Sequence, residues 1–448
     1  MKVIILIVIA LLVIAVPGYF FISATHTGIE VTPVVKVIGF DTPLHVHLTN
    51  KHGVRSVNVA VEQDGKSYPA VQKESKALDY NFETGKQAQP ALHDGKARIV
   101  VTAVSNDILH RTDSIAEDVD VMTAPPHIVA DSVQHYINQG GSEMATFTPS
   151  GAWTEAGVKV GKDYTFRSFP LPNHPGQFFS LFAYSWQLPT DTPIYVYAGN
   201  PSGAMAKTTF WYKIFPKKFR ASTITLESMN IDRIVNQIDT QNKIPGDLVQ
   251  RFVYINSVMR IANNKTLADL RLQTEPKFLW TGAFLPMVDS TVESRFADDR
   301  TYTWKGKKVD QQTHLGFDLA KLAHSPVPAS NDGKVIWAQD LGIYGNCIVI
   351  DHGYGLQSVY GHLSEFLVKK GDLVKKGQTI AKTGSTGLAG GDHLHFTMLI
   401  DGVQINPVEW WDPHWVKDRI LSKMSENLSS SPEPEAAPKR VAKHKRRR

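Results

Sequence analysis

The chain opens on an apolar run and then settles into short alternating segments. Residues 3–22 are twenty consecutive uncharged positions, mostly Ile, Val, Leu, Phe and Ala. As a helix at 1.5 Å per residue they span about 30 Å, enough to cross a bilayer's hydrocarbon core. Lys2 precedes the run and the next Lys or Arg is Lys36, which places the N-terminus in the cytoplasm and the remainder outside. A cleaved signal peptide is the competing reading, but Ile22-Ser23-Ala24 fits a small-x-small cleavage site poorly. Between residues 28 and 124 the pattern changes to period two. Leu44-His45-Val46-His47-Leu48 and Val57-Asn58-Val59-Ala60-Val61 alternate, with Asn50-Lys51-His52-Gly53 and Asp64-Gly65 as turns. This is the strand, turn, strand rhythm of a β-sandwich. Pro125-Pro126 marks a boundary. Residues 131–139 read as a short helix ended by Gly140-Gly141, and 158–224 as a second β-rich stretch. Leu248, Phe252, Ile255 and Met259 recur on one helical face and predict a helix over 246–263.

Length and charge refine this picture. At 448 residues the chain is too long for one ordinary domain. Its net charge of +5 would suggest a nucleic-acid or membrane-surface partner, but seven Lys and Arg fall in the last ten residues. The rest carries 41 basic against 43 acidic residues. The basicity therefore belongs to a tail that follows a Ser-, Pro-, Glu- and Ala-rich linker, and such a composition does not fold. A tail outside the cytoplasm excludes nucleic acid and leaves anionic wall or membrane polymers as its partners. Cys347 is the single cysteine, so no intrachain disulfide and no cysteine-only zinc site can form.

The chemistry concentrates in residues 290–416, which are rich in Gly and His. His314-Leu315-Gly316-Phe317-Asp318 sets an imidazole and a carboxylate four apart, with Gly316 allowing close backbone approach between them. In His393-Leu394-His395-Phe396, strand spacing puts both imidazoles on one face and Leu394 and Phe396 in the core. Tyr360-Gly361-His362-Leu363 adds one more histidine. Two histidines and one aspartate match the three protein ligands of a catalytic zinc site. Two histidines then remain for proton transfer and oxyanion stabilisation. His352 reads as a polar turn residue and Cys347 as a small buried one. The His-x-His pair His45 and His47 reads as exposed positions on a half-buried strand. The near-repeat Val368-Lys369-Lys370-Gly371-Asp372-Leu373 and Val374-Lys375-Lys376-Gly377-Gln378-Thr379 predicts two successive β corners with solvent-facing lysines. Residues 384–391 read as a flexible glycine-rich wall of a groove, and Trp410, Trp411 and Trp415 as packing under the β unit beside a short helix running to about 424.

With these motifs, residues 290–412 resemble the lysostaphin/LytM-type zinc metalloendopeptidases that cut peptidoglycan peptides. The likeness runs through Ser294-Arg295-Phe296, HLGFD, Tyr344-Gly345-Asn346, Ile350-Asp351-His352-Gly353, YGHLS, the VKKG repeat, Gly384-Ser385-Thr386-Gly387, HLHF and Asn406-Pro407. It implies an antiparallel β domain with a groove, zinc held by His314, Asp318 and His395, and His362 and His393 as catalytic histidines. Ala297 stands where the family often has Gly, and as a loop position is expected to matter little. Asp392 stands where Pro is usual and is expected to add charge near the metal or bond a histidine. Some relatives lack the ligands and serve only as activators of other hydrolases, whereas this chain keeps all five positions; a latent enzyme, its groove covered by the roughly 250 residues before the peptidase segment, is a further alternative. The resulting expectation is a mainly β protein with a transmembrane anchor (1–25), a β-sandwich-like domain (26–125) and a β-rich domain with a helical segment (126–277). A LytM-type peptidase domain (278–424) and a disordered basic tail (425–448) follow. Peptidoglycan would be the substrate, on the periplasmic or extracytoplasmic side of the membrane.

Overall fold

The computed structural model describes residues 25–74 and 76–425. The expected membrane segment, 3–22, and the tail from 426 onward lie outside them. Among the described residues no helix is long and apolar enough to cross a membrane. The chain divides into two units. One takes in the chain up to His127 with Ser150–Glu155 and Ala198–Ala206; the other takes in Ile128–Pro149, Ala156–Tyr197 and the chain from Lys207.

The first unit has two sheets. Gly28–Thr32, Thr42–Thr49 and Asp79–Thr84 form one; Val37–Ile38, Thr112–Val121, Gly95–Ser105, Val54–Gln63 and Lys66–Glu74 form the other. Leu44, Val46 and Leu48 share one core with Val57, Val59 and Val61, as the alternation predicts. Asp64 and Gly65 both have positive φ and close the hairpin between the last two strands. His45 and His47 point away from the core, and both approach Asp79 Oδ1, at 3.2 and 2.8 Å.

In the second unit the expected helix at 131–139 is absent. His135–Asn138 is a strand, paired in parallel with Tyr212–Phe215. His135 and Ile137 are buried while Tyr136 and Asn138 are half-buried, a period of two that the short window concealed. Gly140 and Gly141 form the turn into strand Ser142–Ser150 instead of ending a helix. The predicted helix over 246–263 exists and runs further. Leu248–Tyr254 and Arg260–Asp269 flank a π-helical turn, Ile255–Met259, and an Asp247/Gln250 capping box fixes the start. A helix that the pattern did not announce, Ile231–Ile238, packs Ile231, Ile234 and Val235 into a core shared with Tyr344, Cys347 and Val349.

The chemistry-bearing segment is a mainly antiparallel sheet. Its strands lie in the order Thr291–Ser294, Phe317–Ala320, Leu394–Ile400, Leu356–Leu363, Asn346–Asp351, Gly333–Asp340 and Leu373–Val374. The register sets Asp318 opposite His395 and His395 opposite Gly361, so three separate motifs meet on adjacent strands. A second sheet, Ala221–Thr225, Asp298–Trp304 and Lys307–His314, carries His314 to the same place. The lysine repeat forms two matching corners. Lys369 N donates to Asp372 Oδ2 and Lys375 N to Gln378 Oε1, with the lysines exposed. Trp410 is fully buried against Trp280, Phe284 and Trp415, and Trp411 packs on Phe317 and Phe396, so these rings support the sheet. The helix expected to follow them is broken into Val408–Trp411, Pro413–Val416, a π turn at Lys417–Leu421 and Ser422–Ser425.

Candidate active site

His314, Asp318, His362, His393 and His395 all line one cleft of about 440 Å³. Three ligand atoms converge at its floor. His314 Nε2 lies 2.9 Å from Asp318 Oδ1 and 3.0 Å from His395 Nδ1, and His395 Nδ1 lies 3.1 Å from Asp318 Oδ1. Among the described residues this is the one group of three His, Cys, Asp or Glu side chains whose ligand atoms all lie within 4.8 Å of one another.

Backbone carbonyls fix the direction of the other ring nitrogens. His314 Nδ1 donates to Arg295 O at 3.1 Å, His362 Nδ1 to Thr386 O at 2.8 Å and His393 Nδ1 to Gly391 O at 3.0 Å. A carbonyl only accepts, so each Nδ1 carries the proton and each Nε2 keeps its lone pair. His395 is reversed: Nδ1 faces the site, while Nε2 is buried without a hydrogen-bond partner. A Cβ on Gly316 would sit 2.6 Å from that atom, so the glycine gives the ring its room. Two unprotonated imidazole nitrogens and a carboxylate oxygen facing one point form a donor set suited to zinc.

Electrostatics follow from burial. Burial lowers the pKa of His314, only partly offset by Asp318, and takes that of His395 down to about 4. Burial and repulsion from His393 and His395 push His362 well below its ordinary value. For His393 burial acts downward, but the Asp318 hydrogen bond and charge prevail and raise it. For Asp318 burial acts upward, yet the surrounding imidazoles hold the carboxyl well below its usual range.

Several features escaped the sequence reading. Arg300, on strand Asp298–Trp304, donates to Asp318 Oδ2 at 2.7 Å. Its place in the consecutive charges Asp298, Asp299 and Arg300 was the available signal. Arg233 and Gln237, on helix Ile231–Ile238, bond the glycine-rich loop. His362 itself has φ 61°, a left-handed kink at the end of its strand. Asp392 bonds the backbone N of His324, not a histidine ring of the site. Ala297 is buried at φ 61°, where the family's glycine is at ease and alanine is not. His352, read as a polar turn residue, lies outside the cluster of His314, Asp318 and His395 and is fully buried between Asp332 O and Ser358 Oγ. Cys347 is buried too, and burial raises its thiol pKa.

A β-sheet floor thus gathers two histidines and an aspartate around one point, with two further histidines lining the same cleft. Residues 312–407 match the model of peptidase family M23. Over 109 residues the chain is 41% identical to the peptidoglycan DD-endopeptidase ShyB of Vibrio cholerae, covering 24% of this chain and 25% of that one. Over 126 residues it is 36% identical to the DD-carboxypeptidase/endopeptidase Mpg of Neisseria meningitidis, covering 28% and 27%. The match thus spans about a quarter of these relatives' length. Among solved structures, the catalytic domain of lysostaphin from Staphylococcus simulans is 26% identical, covering 32% of this chain and 96% of that one, with a TM-score of 0.21.

Proposed function

We propose that the domain at 278–424 is a zinc-dependent endopeptidase that hydrolyses amide bonds in peptidoglycan stem peptides or cross-links. The observation that carries this is the convergence of His314 Nε2, Asp318 Oδ1 and His395 Nδ1 in a cleft that two more imidazoles, His362 and His393, also line. His314, Asp318 and His395 would hold the zinc, which when bound supplies Lewis acidity and lowers the pKa of a water toward about 7.

The protein's own groups do the rest. His362 and His393 both line the cleft, with ring centroids 4.8 Å apart. One takes the proton of the attacking water and the other donates to the oxyanion as the carbonyl becomes tetrahedral. Burial keeps His362 neutral near pH 7, the form a base requires. Retention of all five side chains supports a catalytic role over that of a ligand-less activator. The reading extends to location: an anchor at 1–25 would hold the domain on the extracytoplasmic side, and the basic tail would adhere to anionic wall polymers.

The test is the zinc-loaded protein and its His395→Ala variant on purified peptidoglycan, with metal content and released fragments both measured by mass. Loss of zinc and of fragment release together is expected. Unimpaired release by the variant would refute the assignment, and a wild-type protein that binds no stoichiometric zinc would favour the activator role.

A further inference from the structure

We infer that Arg233 and Gln237 are positioning residues for this centre: they hold the loop 384–391, whose Thr386 carbonyl orients His362. The inference rests on the catalytic reading of His362 given above.

The loop contains glycine at 384, 387, 390 and 391, a composition that would sample many backbone states if left unheld. Its own domain secures part of it. Thr386 Oγ1 donates to Leu363 O and accepts from Asn346 N, Leu388 N donates to Ile343 O, and His393 N donates to Gly384 O. These contacts take up amides, one hydroxyl and the carbonyl at the loop's start. The alternate carbonyls of Ser385, Gly387 and Ala389 are taken by one helix, Ile231–Ile238. Arg233 Nη1 donates to Ser385 O at 3.0 Å and Nη2 to Ala389 O at 2.7 Å. Gln237, one turn further on, donates to Ser385 O at 3.3 Å and to Gly387 O. Arg233 Nη1 also reaches Gln237 Oε1 at 3.4 Å, which joins the two side chains into one clamp.

The clamp has a firm base. The opposite face of the helix, Ile231, Ile234 and Val235, is buried in a core that includes Ile343, Tyr344 and Cys347. Between the clamped carbonyls lies Thr386 O, 2.8 Å from His362 Nδ1. A carbonyl held there keeps the proton on Nδ1 and the lone pair of Nε2 on the cleft side. A carbonyl free to move would release both the tautomer and the ring angle. The helix lies well before the matched segment 312–407, so the peptidase centre draws its order partly from outside the family domain.

The experiment compares the zinc-loaded full-length protein with the double variant Arg233→Ala/Gln237→Ala. A turnover assay on a cross-linked peptidoglycan peptide is run beside hydrogen exchange of residues 384–391. The expected result is faster exchange in the loop and kcat reduced at least tenfold, with zinc stoichiometry unchanged. In a His362→Ala background the same double change should cost no further kcat, because the clamp acts through that ring. Should the double variant lose its thermal midpoint, Arg233→Lys provides the comparison, since it keeps the charge but cannot bridge two carbonyls. Unchanged loop exchange, or a loss that multiplies with His362→Ala, would overturn the inference. A wild-type protein without turnover would instead overturn the peptidase reading, while exchange still reports the clamp.

Discussion

Arg300 Nη2 donates to Asp318 Oδ2 at 2.7 Å, while Oδ1 of the same carboxylate lies 2.9, 3.1 and 3.4 Å from His314, His395 and His393. One oxygen is thereby pinned and the other is presented to the cleft. Arg300 is also 3.7 Å from Asp298, which steadies the guanidinium. Outer groups of this kind orient a metal ligand, and their loss typically weakens metal affinity by about 10–100-fold. Arg300→Ala is expected to weaken zinc binding within that range, with Arg300→Lys in between. Competition titration against a chromophoric chelator measures it. Equal affinity in the alanine variant would mean that Asp318 needs no such restraint.

Gly316 separates His314 and Asp318 in the HLGFD motif and lies against the His395 ring. A methyl there would lie 2.5 Å from His395 Cε1 and 2.8 Å from Phe396 O, distances that real Cβ atoms do not show. Gly316→Ala should therefore displace His395 and strongly reduce zinc affinity. Gly390→Ala, where a Cβ meets nothing within 4 Å, should leave affinity unchanged. A Gly316→Ala protein with wild-type affinity would show that the ring tolerates the shift.

What could be read from the sequence was what local periodicity and short motifs record. Val57, Val59 and Val61 announced a buried strand face because the sheet enforces a period of two over many residues. HLHF gave the inward direction of Leu394 and Phe396 for the same reason, whereas His314 and Asp318 of HLGFD meet across two different sheets. The strand at His135–Asn138 was hidden because four residues hold too little pattern, and its parallel partner lies over seventy residues away. The clamp of Arg233 and Gln237 was hidden differently. Its targets are loop carbonyls some 150 positions on, and backbone acceptors leave no trace in side-chain identity. Arg300 shows the same limit: a charge near the start of strand Asp298–Trp304 looks solvated until the fold brings it within 2.7 Å of Asp318, in another sheet.

Ala297 offers a test of backbone strain near the site. Its N donates to His314 O at 2.7 Å, and its φ of 61° lies in the left-handed region, where an L side chain crowds the following carbonyl. Glycine removes that crowding but gives the unfolded chain more freedom, and the two effects partly offset. Ala297→Gly is expected to raise unfolding stability by a net of about 0.5–1 kcal/mol. Urea denaturation followed by fluorescence would register it. A destabilised variant would mean that the buried methyl outweighs the strain.

Glu409 links stability to pH away from the cleft. Its Oε1 accepts from Asn138 Nδ2 at 2.7 Å and its Oε2 from Ser142 N at 2.9 Å, in a buried setting close to Glu143. Burial is the main cause that raises its pKa from 4.5 to about 7, with repulsion from Glu143 adding to it. A carboxyl with a higher pKa in the fold than in the unfolded chain holds its proton more tightly when folded. Its contribution is complete below pH 4.5 and is lost as the pH rises through 7. Between pH 5 and pH 8 the wild-type protein should lose roughly 2–3 kcal/mol relative to Glu409→Gln, which cannot ionise. The variant's amide leaves one former acceptor position as a donor, so its absolute stability can start lower. The diagnostic quantity is the change in the difference between the two proteins with pH, read from unfolding curves at both values. A difference that stays constant from pH 5 to pH 8 would show that Glu409 ionises alike in the folded and unfolded chains.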